Sequence, residues 1–107
     1  MVDYALDLNS IFASLADATR RDILKRVAKK ALSIGEIAKP YRLTLAAVSK
    51  HLMVLQKAKL IIKQRQGKEQ IVRLSPLALK DASDYLRHYE AIWNKRFDSL
   101  DKLLKKN

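Results

Sequence analysis

Small, hydroxyl-bearing and basic side chains share one face of the segment from Thr44 to Lys57. Apolar residues recur in it at helical spacing, and we expect four of them to face a core: Leu45, Val48, Leu52 and Leu55. At about 100° per residue, the opposite side then carries Ala46, Ala47, Lys50 and Lys57. A bare, basic helix face of this kind can lie close against a phosphate-lined groove and donate hydrogen bonds to phosphate oxygens and base edges.

Residues near the start of this segment are candidate contacts with nucleic acid. Lys50 is the first candidate for a guanine edge or a phosphate oxygen. Ser49 and Thr44 are candidate phosphate donors, although Thr44 serves equally well as a cap for the helix. Ala46 and Ala47 leave room for close approach and are suited to contact thymine methyl groups. Together these residues predict a helix that binds double-stranded DNA.

Three further residues complete the candidate DNA-binding set. His51 lies at the edge of the apolar stripe, where it either donates to a phosphate or satisfies a polar group of the core. Arg65 and Lys68 lie beside Gly67 in a predicted hairpin turn. Basic side chains at such a tip are expected to contact backbone phosphate or the minor groove.

The positive charge of the chain is concentrated around these candidates. The 107 residues include 22 Lys and Arg against 11 Asp and Glu, for a net charge of +11. Residues 20–73 carry 15 of the basic residues and 3 of the acidic ones, whereas residues 1–19 carry three Asp and no Lys or Arg. A concentrated positive field attracts a polyanion with salt-dependent affinity. We therefore expect a nucleic-acid partner rather than a merely solubilising surface.

The composition argues against an enzyme or a metalloprotein. Cysteine is absent, and the two histidines stand far apart in the sequence. The sequence shows no nucleophile–base pairing and no glycine-rich phosphate loop. We therefore expect no enzyme activity, no catalytic residue, no cofactor and no metal site.

Membrane and targeting signals are missing from the sequence. No apolar run approaches the ~20 residues that a membrane span needs. The start of the chain is acidic and lacks the basic and apolar regions of a signal peptide. We therefore expect a cytoplasmic protein with no membrane partner.

Three predicted helices precede the candidate helix, and they cover residues 6–16, 18–30 and 34–38. Asp17 is suited to cap the second helix, since its carboxylate can accept from the N–H groups of the next turn. Ser33 and Glu36 fit a capping box that opens the third. Pro40 makes the residue before it a boundary, so a short turn connects the third helix to the candidate helix.

A basic hairpin is predicted after the candidate helix. Residues 59–65 alternate, with Leu60 and Ile62 on one face, and residues 70–74 return after a turn. The order helix, turn, helix, hairpin predicts a mainly α fold with a two-stranded β-hairpin, in a winged helix-turn-helix arrangement. We expect a single DNA-binding domain over residues 1–107.

The last predicted helix, over about residues 76–105, is too long for its own domain to cover. It spans about 28 residues, or ~42 Å, whereas a domain of this size is ~30 Å across. Apolar residues at spacings of three and four form a continuous stripe: Leu86, Tyr89, Trp93, Phe97, Leu100 and Leu104. The stripe predicts a homodimer, and a kinked helix folded back on one core is the alternative.

The predicted dimer interface combines the last helix with the first. Its residues are expected to be Ile11, Phe12, Tyr89, Trp93, Phe97 and Leu100. Aromatic residues in a buried interface contribute more binding energy than their neighbours. Tyr89 and Trp93 are alternatively core anchors or part of a ligand pocket.

Four short motifs resemble those of a known family. They are Leu15-Ala-Asp-Ala-Thr-Arg-Arg-Asp-Ile-Leu24, Glu36-Ile-Ala38, Val48-Ser-Lys-His-Leu52 and Ala58-Lys-Leu-Ile61. In these motifs the chain resembles the ArsR-type winged-helix repressors. Within that family it is most similar to a subgroup that has Lys-Pro-Tyr in the turn and a tryptophan in the last helix. The resemblance implies a homodimeric transcriptional repressor, paired through its first and last helices, that binds a near-palindromic operator.

The chain departs from the metal-sensing members of that family. Ser33 and Gly35 stand where some relatives carry metal-binding cysteines. Other relatives bind metal through carboxylates and histidines on the last helix. Here Asp84, His88 and Glu90 lie in that region, but no second histidine follows them. The resemblance therefore does not extend to metal sensing, and the sequence leaves open whether a small-molecule effector exists.

Two loop residues also depart from the family pattern, without moving the motifs. Arg42 stands where many relatives have glycine or another small residue, and Lys59 where glycine is usual before the hairpin.

The alternative function is a winged-helix module that binds RNA or a protein partner. Competition between duplex DNA and RNA separates it from the first interpretation.

Overall fold

A computed structural model describes residues 7–105, which form helices around a small antiparallel sheet. The helices are α1 (Leu8–Leu15), α2 (Ala18–Lys29), α3 (Ile34–Ala38), α4 (Leu45–Lys57) and α5 (Pro76–Lys105). The strands are β1 (Leu32–Ser33), β2 (Ile61–Gln66) and β3 (Glu69–Leu74). The predicted order of helix, turn, helix and hairpin is confirmed. Leu6, predicted to begin the first helix, lies outside the described residues.

The sheet has three strands in the order β1-β3-β2, rather than the two predicted. The hairpin pairs β2 with β3 from Ile61 opposite Leu74 to Gln66 opposite Glu69. Gly67 opens the two-residue turn with a φ of 62°, which a glycine adopts without steric cost. The two-residue strand β1 pairs with the outer side of β3. Because β1 has no alternating pattern of its own, its sequence carried no strand signal.

Local capping signals set the starts of α2 and α3, as predicted. The Asp17 carboxylate accepts from the backbone N–H of Arg20 at 2.9 Å, and this bond lowers the pKa of Asp17. Ser33 and Glu36 form the capping box, with bonds of 3.0 and 3.1 Å between each side chain and the other's backbone N–H. Donation by the Ser33 backbone lowers the pKa of Glu36. These caps satisfy N–H groups that no helical carbonyl can reach.

The core lies where α1 to α4 meet the inner face of the sheet. Its fully buried large side chains are Ile11, Ile23, Ile37, Val48, Leu52, Leu55, Leu60 and Val72. Three of the four α4 residues predicted to face the core do so. The prediction for Leu45 is wrong, because its side chain is 62% exposed. Leu45 is the first residue of α4 and precedes the point at which the helix enters the core.

Ile11 is also placed differently from its prediction. Its side chain is completely buried within the chain's own core, so it is not available for a dimer interface. Phe12, the next residue along α1, is 37% exposed and its ring centroid lies 5.9 Å from that of Tyr85 on α5. The first helix therefore offers Phe12, and not Ile11, beside the last helix.

Helix α5 extends well beyond the core. It is 30 residues long, and its buried residues, Ala78 and Ala82, lie in its first two turns. From residue 83 to residue 105 every side chain is exposed. The alternative of a last helix folded back on a single core is therefore wrong.

A left-handed residue ends α4 and starts the hairpin. Lys59 has a φ of 63°, its N–H donates to the Gln56 carbonyl, and the N–H of Leu60 donates to the Leu55 carbonyl, both at 3.0 Å. These two bonds define a Schellman motif, and its usual apolar contact is supplied by the buried Leu55 and Leu60. Leu60 thus belongs to the helix end, which is why it does not share a strand face with the 46% exposed Ile62 as predicted.

Replacing Lys59 by glycine is expected to stabilise the fold by about 1 kcal/mol. A side chain with a Cβ atom pays a steric penalty in the left-handed region that glycine does not, and glycine's larger unfolded-state entropy offsets only part of that gain. Lys59 is exposed, so no packing is lost. Urea unfolding should show a higher midpoint for Lys59→Gly and a lower one for Gly67→Lys. A destabilised Lys59→Gly variant would contradict the assigned helix end.

Candidate nucleic-acid interface

The outward face of α4 carries most of the predicted contact residues. Ala46 and Lys50 are exposed, while Ala47 and Ser49 are half-buried at its edges. Met53, which was not among the predicted contact residues, is 50% exposed one turn after Lys50. Its position was available from helical spacing, since it follows Lys50 by three residues.

The start of α4 is fixed by its cap. The Thr44 side chain accepts from the backbone N–H of Ala47 at 3.1 Å. Thr44 thus has the capping role that was one of its two interpretations. Its hydroxyl group still has a proton to donate, because a hydroxyl is both donor and acceptor.

Arg26 of α2 holds the turn between α3 and α4. Its guanidinium group donates to the carbonyl oxygens of Ile37 at 2.8 Å and Glu36 at 2.9 Å, both in the last turn of α3. The same group lies 5.3 Å from the centroid of the Tyr41 ring. The Tyr41 hydroxyl donates to the carboxylate of Asp22, also on α2. Burial raises the pKa of Tyr41. Two side chains of α2, Arg26 and Asp22, therefore hold the turn that precedes α4.

His51 anchors the middle of α4 on the junction of α1 and α2. Its Nδ1 atom lies 3.8 Å from the Asp17 carboxylate and 3.4 Å from a guanidinium nitrogen of Arg20. Arg20 also donates to the carbonyls of Ser14 at 2.8 Å and Ala13 at 3.2 Å, at the end of α1. The Nδ1 side of His51 thus faces polar groups of its own chain. A phosphate contact by His51, through Nε2, stays a prediction.

Arg65 and Lys68 are exposed at the tip of the hairpin. The Arg65 side chain donates to the Gly67 carbonyl at 3.3 Å, which keeps it beside the turn. Lys68 is the second turn residue. The hairpin therefore presents two basic side chains on an element separate from α4.

The cations of this region are not neutralised by neighbouring carboxylates. Among residues 7–105, the ion pairs join His51 to Asp17 and Lys105 to Asp101. No Lys or Arg of the segment 20–73 therefore forms an ion pair with a carboxylate in that part of the chain. The positive field inferred from the sequence is thus open to an external anion.

The α5 residues of the predicted dimer interface form an aromatic and aliphatic surface. The exposed fractions are 42% for Tyr89, 56% for Trp93, 58% for Phe97 and 51% for Leu100. The rings of Trp93 and Phe97 stack with centroids 5.7 Å apart, and those of Tyr85 and Tyr89 meet edge to face at 5.4 Å. Tyr89 and Trp93 are therefore not anchors of the chain's own core.

Residues 7–105 hold neither a metal-binding cluster nor a membrane-spanning helix. That part of the chain contains no cluster of three or more His, Cys, Asp or Glu side chains that could hold a metal ion. Nor does any helix within it combine the length and apolar character needed to cross a membrane.

The chain is similar to known transcriptional regulators. Residues 15–64, which include the helix-turn-helix, match the helix-turn-helix domain family. The HTH-type transcriptional regulator Rv2034 of Mycobacterium tuberculosis is 39% identical over 66 residues, which cover 62% of this chain and 62% of that protein. The transcriptional repressor SdpR of Bacillus subtilis is 27% identical over 77% of this chain and 91% of its own length.

Solved structures extend the similarity to nearly the whole chain. An ArsR-like transcriptional regulator from Rhodococcus sp. RHA1 superposes with a TM-score of 0.75 and 27% identity, over 94% of this chain and 92% of that one. The match includes the helices on both sides of the helix-turn-helix as well as the hairpin. The helix-turn-helix match, the related regulators and this superposition together support an ArsR-type winged helix-turn-helix regulator.

Proposed function

We propose that the protein is a sequence-specific transcriptional repressor that binds a near-palindromic operator as a homodimer. The observation that carries the proposal is the outward face of α4, bare and basic, followed by a hairpin with Arg65 and Lys68 at its tip. The similarity to SdpR, described as a transcriptional repressor, favours repression.

In the proposed complex, α4 enters the major groove. Lys50 contacts a guanine edge or a phosphate, and Ala46 and Ala47 allow the helix to come close. Thr44 and Ser49 donate hydroxyl protons to phosphate oxygens at the groove edge. Arg26 and Tyr41, which anchor the turn, keep α4 at a fixed angle to the rest of the chain.

The hairpin makes the second set of contacts. Arg65 and Lys68 contact backbone phosphate or the adjacent minor groove. His51 adds a phosphate contact through Nε2. Release of counterions by these cations supplies much of the affinity and makes it depend on salt.

Dimerisation places two copies of this interface on one duplex. The exposed stripe of α5, with Phe12 beside it, supplies the contact between the two copies. Because the pair is two-fold symmetric, the half-sites should be separated by one helical turn, ~10–10.5 bp, or a multiple of it.

Selection of bound duplexes from a random pool tests the proposal and returns the operator. We expect the selected sequences to contain a two-fold repeat. Unlabelled duplex DNA of that sequence should displace the probe at far lower concentration than RNA of the same sequence. A pool with no enriched sequence, or RNA that competes equally well, would favour the alternative of an RNA- or protein-binding module.

Removing Lys50 and removing Arg65 should have different effects on binding. If Lys50 contacts a base edge, Lys50→Ala costs ~1–3 kcal/mol and relaxes the preference at one position of the half-site. If Arg65 contacts phosphate, Arg65→Ala weakens binding to all sequences alike and lowers the salt slope by about one per lost contact. Lys80→Ala, an exposed lysine on α5, is the matched control and should change neither quantity. If both variants lose the same affinity for all sequences, Lys50 contacts the phosphate backbone of the DNA and not a base edge.

Metal ions are not expected to release the operator. A closed tetrahedral site draws on Cys, His and carboxylate ligands, whereas this chain has no Cys and carries its histidines singly on α4 and α5. Titration of the protein–operator complex with zinc, cobalt or arsenite should leave it intact. Release at micromolar metal that His88→Ala abolishes would reveal a site pooled between two copies and contradict this expectation.

A further inference from the structure

The exposed start of α4 is more apolar than a helix that only contacts phosphate requires. Leu45 is 62% exposed as the first residue of the helix, and Leu43 in the preceding turn is 41% exposed. Ala46 is exposed beside Leu45, and Met53 is 50% exposed two turns further on. Leu45 follows the core-facing stripe but lies before the point at which α4 enters the core, so much of the surface that α4 exposes is hydrocarbon.

Hydrogen-bonding groups are scarce on the same surface. Thr44 accepts from the Ala47 N–H, and the Nδ1 side of His51 faces Asp17 and Arg20. Ser49 and Lys50 are the polar residues in the first two turns of α4 that are not held in this way. With Thr44, Ser49 and His51 proposed to donate to phosphate, Lys50 is the polar side chain of these turns that remains for a base edge.

We propose that Leu45, with Ala46 beside it, is a specificity residue that recognises thymine methyl groups in the major groove. The C5-methyl group of thymine is the one apolar feature that a base pair presents there, and apolar side chains identify it by contact. This inference rests on the proposed function, because it takes the DNA duplex as the ligand of α4.

The charge around Leu45 favours DNA over an apolar protein partner. Arg42 and Lys50 are exposed on the turn and on α4, and neither forms an ion pair with a carboxylate of residues 7–105. An apolar partner would leave these cations without counterions, whereas the phosphates on either side of a major groove supply them. The small apolar patch and its basic surroundings thus match a thymine-bearing groove.

Replacing thymine by deoxyuridine in the selected duplex tests the inference. The replacement removes the methyl group and leaves the hydrogen-bonding groups of the base unchanged. Single replacements through one half-site should weaken binding by the wild-type chain about fourfold at each contacted thymine, the value of one buried carbon group. The salt slope should stay the same, because no phosphate contact changes.

The variant Leu45→Ala should bind the thymine duplex more weakly and lose the discrimination against deoxyuridine at one position. Leu77→Ala is the matched control, because Leu77 is 63% exposed near the start of α5. It should keep both the affinity and the discrimination. Both leucines are exposed, so both variants should melt at the wild-type temperature.

Each outcome has a separate meaning. Wild-type protein that binds thymine and deoxyuridine duplexes equally would overturn the methyl contact and leave the proposed function standing. Discrimination that persists in Leu45→Ala would overturn the role of Leu45. If no duplex is bound above the level of RNA, the proposed function fails, and this inference fails with it.

Discussion

Trp93→Ala should convert the protein from a dimer on a two-fold operator into a chain that binds only half-sites. Trp93 is 56% exposed at the centre of the α5 stripe and stacks on Phe97. In the proposed dimer this large ring is buried against the second copy. Truncation of a packed tryptophan costs ~3–5 kcal/mol, so dimer dissociation should rise by a factor on the order of a hundred or more.

Operator affinity should fall with the dimer, because each chain brings one α4 and one hairpin. Half-site binding should survive weakly in Trp93→Ala, while affinity for the full site collapses. The folded chain itself should be nearly as stable as before, since residues 83–105 contribute nothing to the buried core. This separates loss of the dimer from loss of the fold.

Sedimentation equilibrium of both proteins, paired with titration of full and half operators, is the measurement. Lys95→Ala is the control, since Lys95 is exposed on α5 about 200° around the helix from Trp93. It should remain dimeric and bind the full site. A wild-type chain that is monomeric at tens of micromolar and still binds one full site tightly would contradict the dimer.

Leu52→Ala should destabilise the fold by ~2–5 kcal/mol, a large part of the stability of a small domain. Leu52 is completely buried, one turn after Val48 and one turn before Leu55 on the inner face of α4. Its truncation leaves a cavity at the point where α4 is held against the core. Because α4 carries the proposed DNA contacts, binding to all sequences should weaken together as the folded fraction falls.

The adjacent residue provides the control for this experiment. Met53 is 50% exposed, so Met53→Ala should change stability by no more than about 0.5 kcal/mol. Urea unfolding of wild type and both variants, at one protein concentration because a dimer's stability depends on it, gives the comparison. Equal midpoints for the two variants would show that α4 is not packed as described.

Features that depend on a few neighbouring residues were predictable from the sequence. Asp17, the Ser33–Glu36 pair and Thr44 each cap a helix through a bond that spans three residues. The apolar stripe of α4 and the turn at Gly67 are equally local. The family motifs lie in these same segments, so the resemblance and the local signals predicted the same fold.

Features set by tertiary packing were not predictable in the same way. Leu45 and Ile11 both belong to apolar helical stripes, but only the packed structure shows that the first is exposed and the second fully buried. Strand β1 forms because it pairs with the edge of β3 that β2 does not occupy, about 40 residues away in the sequence. The positive φ of Lys59 was missed because lysine carries no signal for it, although the glycine usual at that position was a hint.

The partners of the polar anchors of α4 were also missed, although a polar contact within the chain was one of the two interpretations of His51. His51 meets Asp17 and Arg20, which precede it by more than 30 residues, and Arg26 reaches over to the end of α3. Each of these residues is basic or acidic and common on surfaces. Nothing in the sequence separates such anchors from solvated charges.

The stoichiometry and salt dependence of the complex on the selected duplex test the central claim most directly. We predict two chains per two-fold duplex and a linear fall of log affinity with log salt. With about six basic contacts per dimer, from Lys50, Arg65 and Lys68 of each chain, affinity should drop about a thousandfold between roughly 50 and 200 mM salt. One chain per duplex at saturation, or an affinity indifferent to salt, would contradict the account.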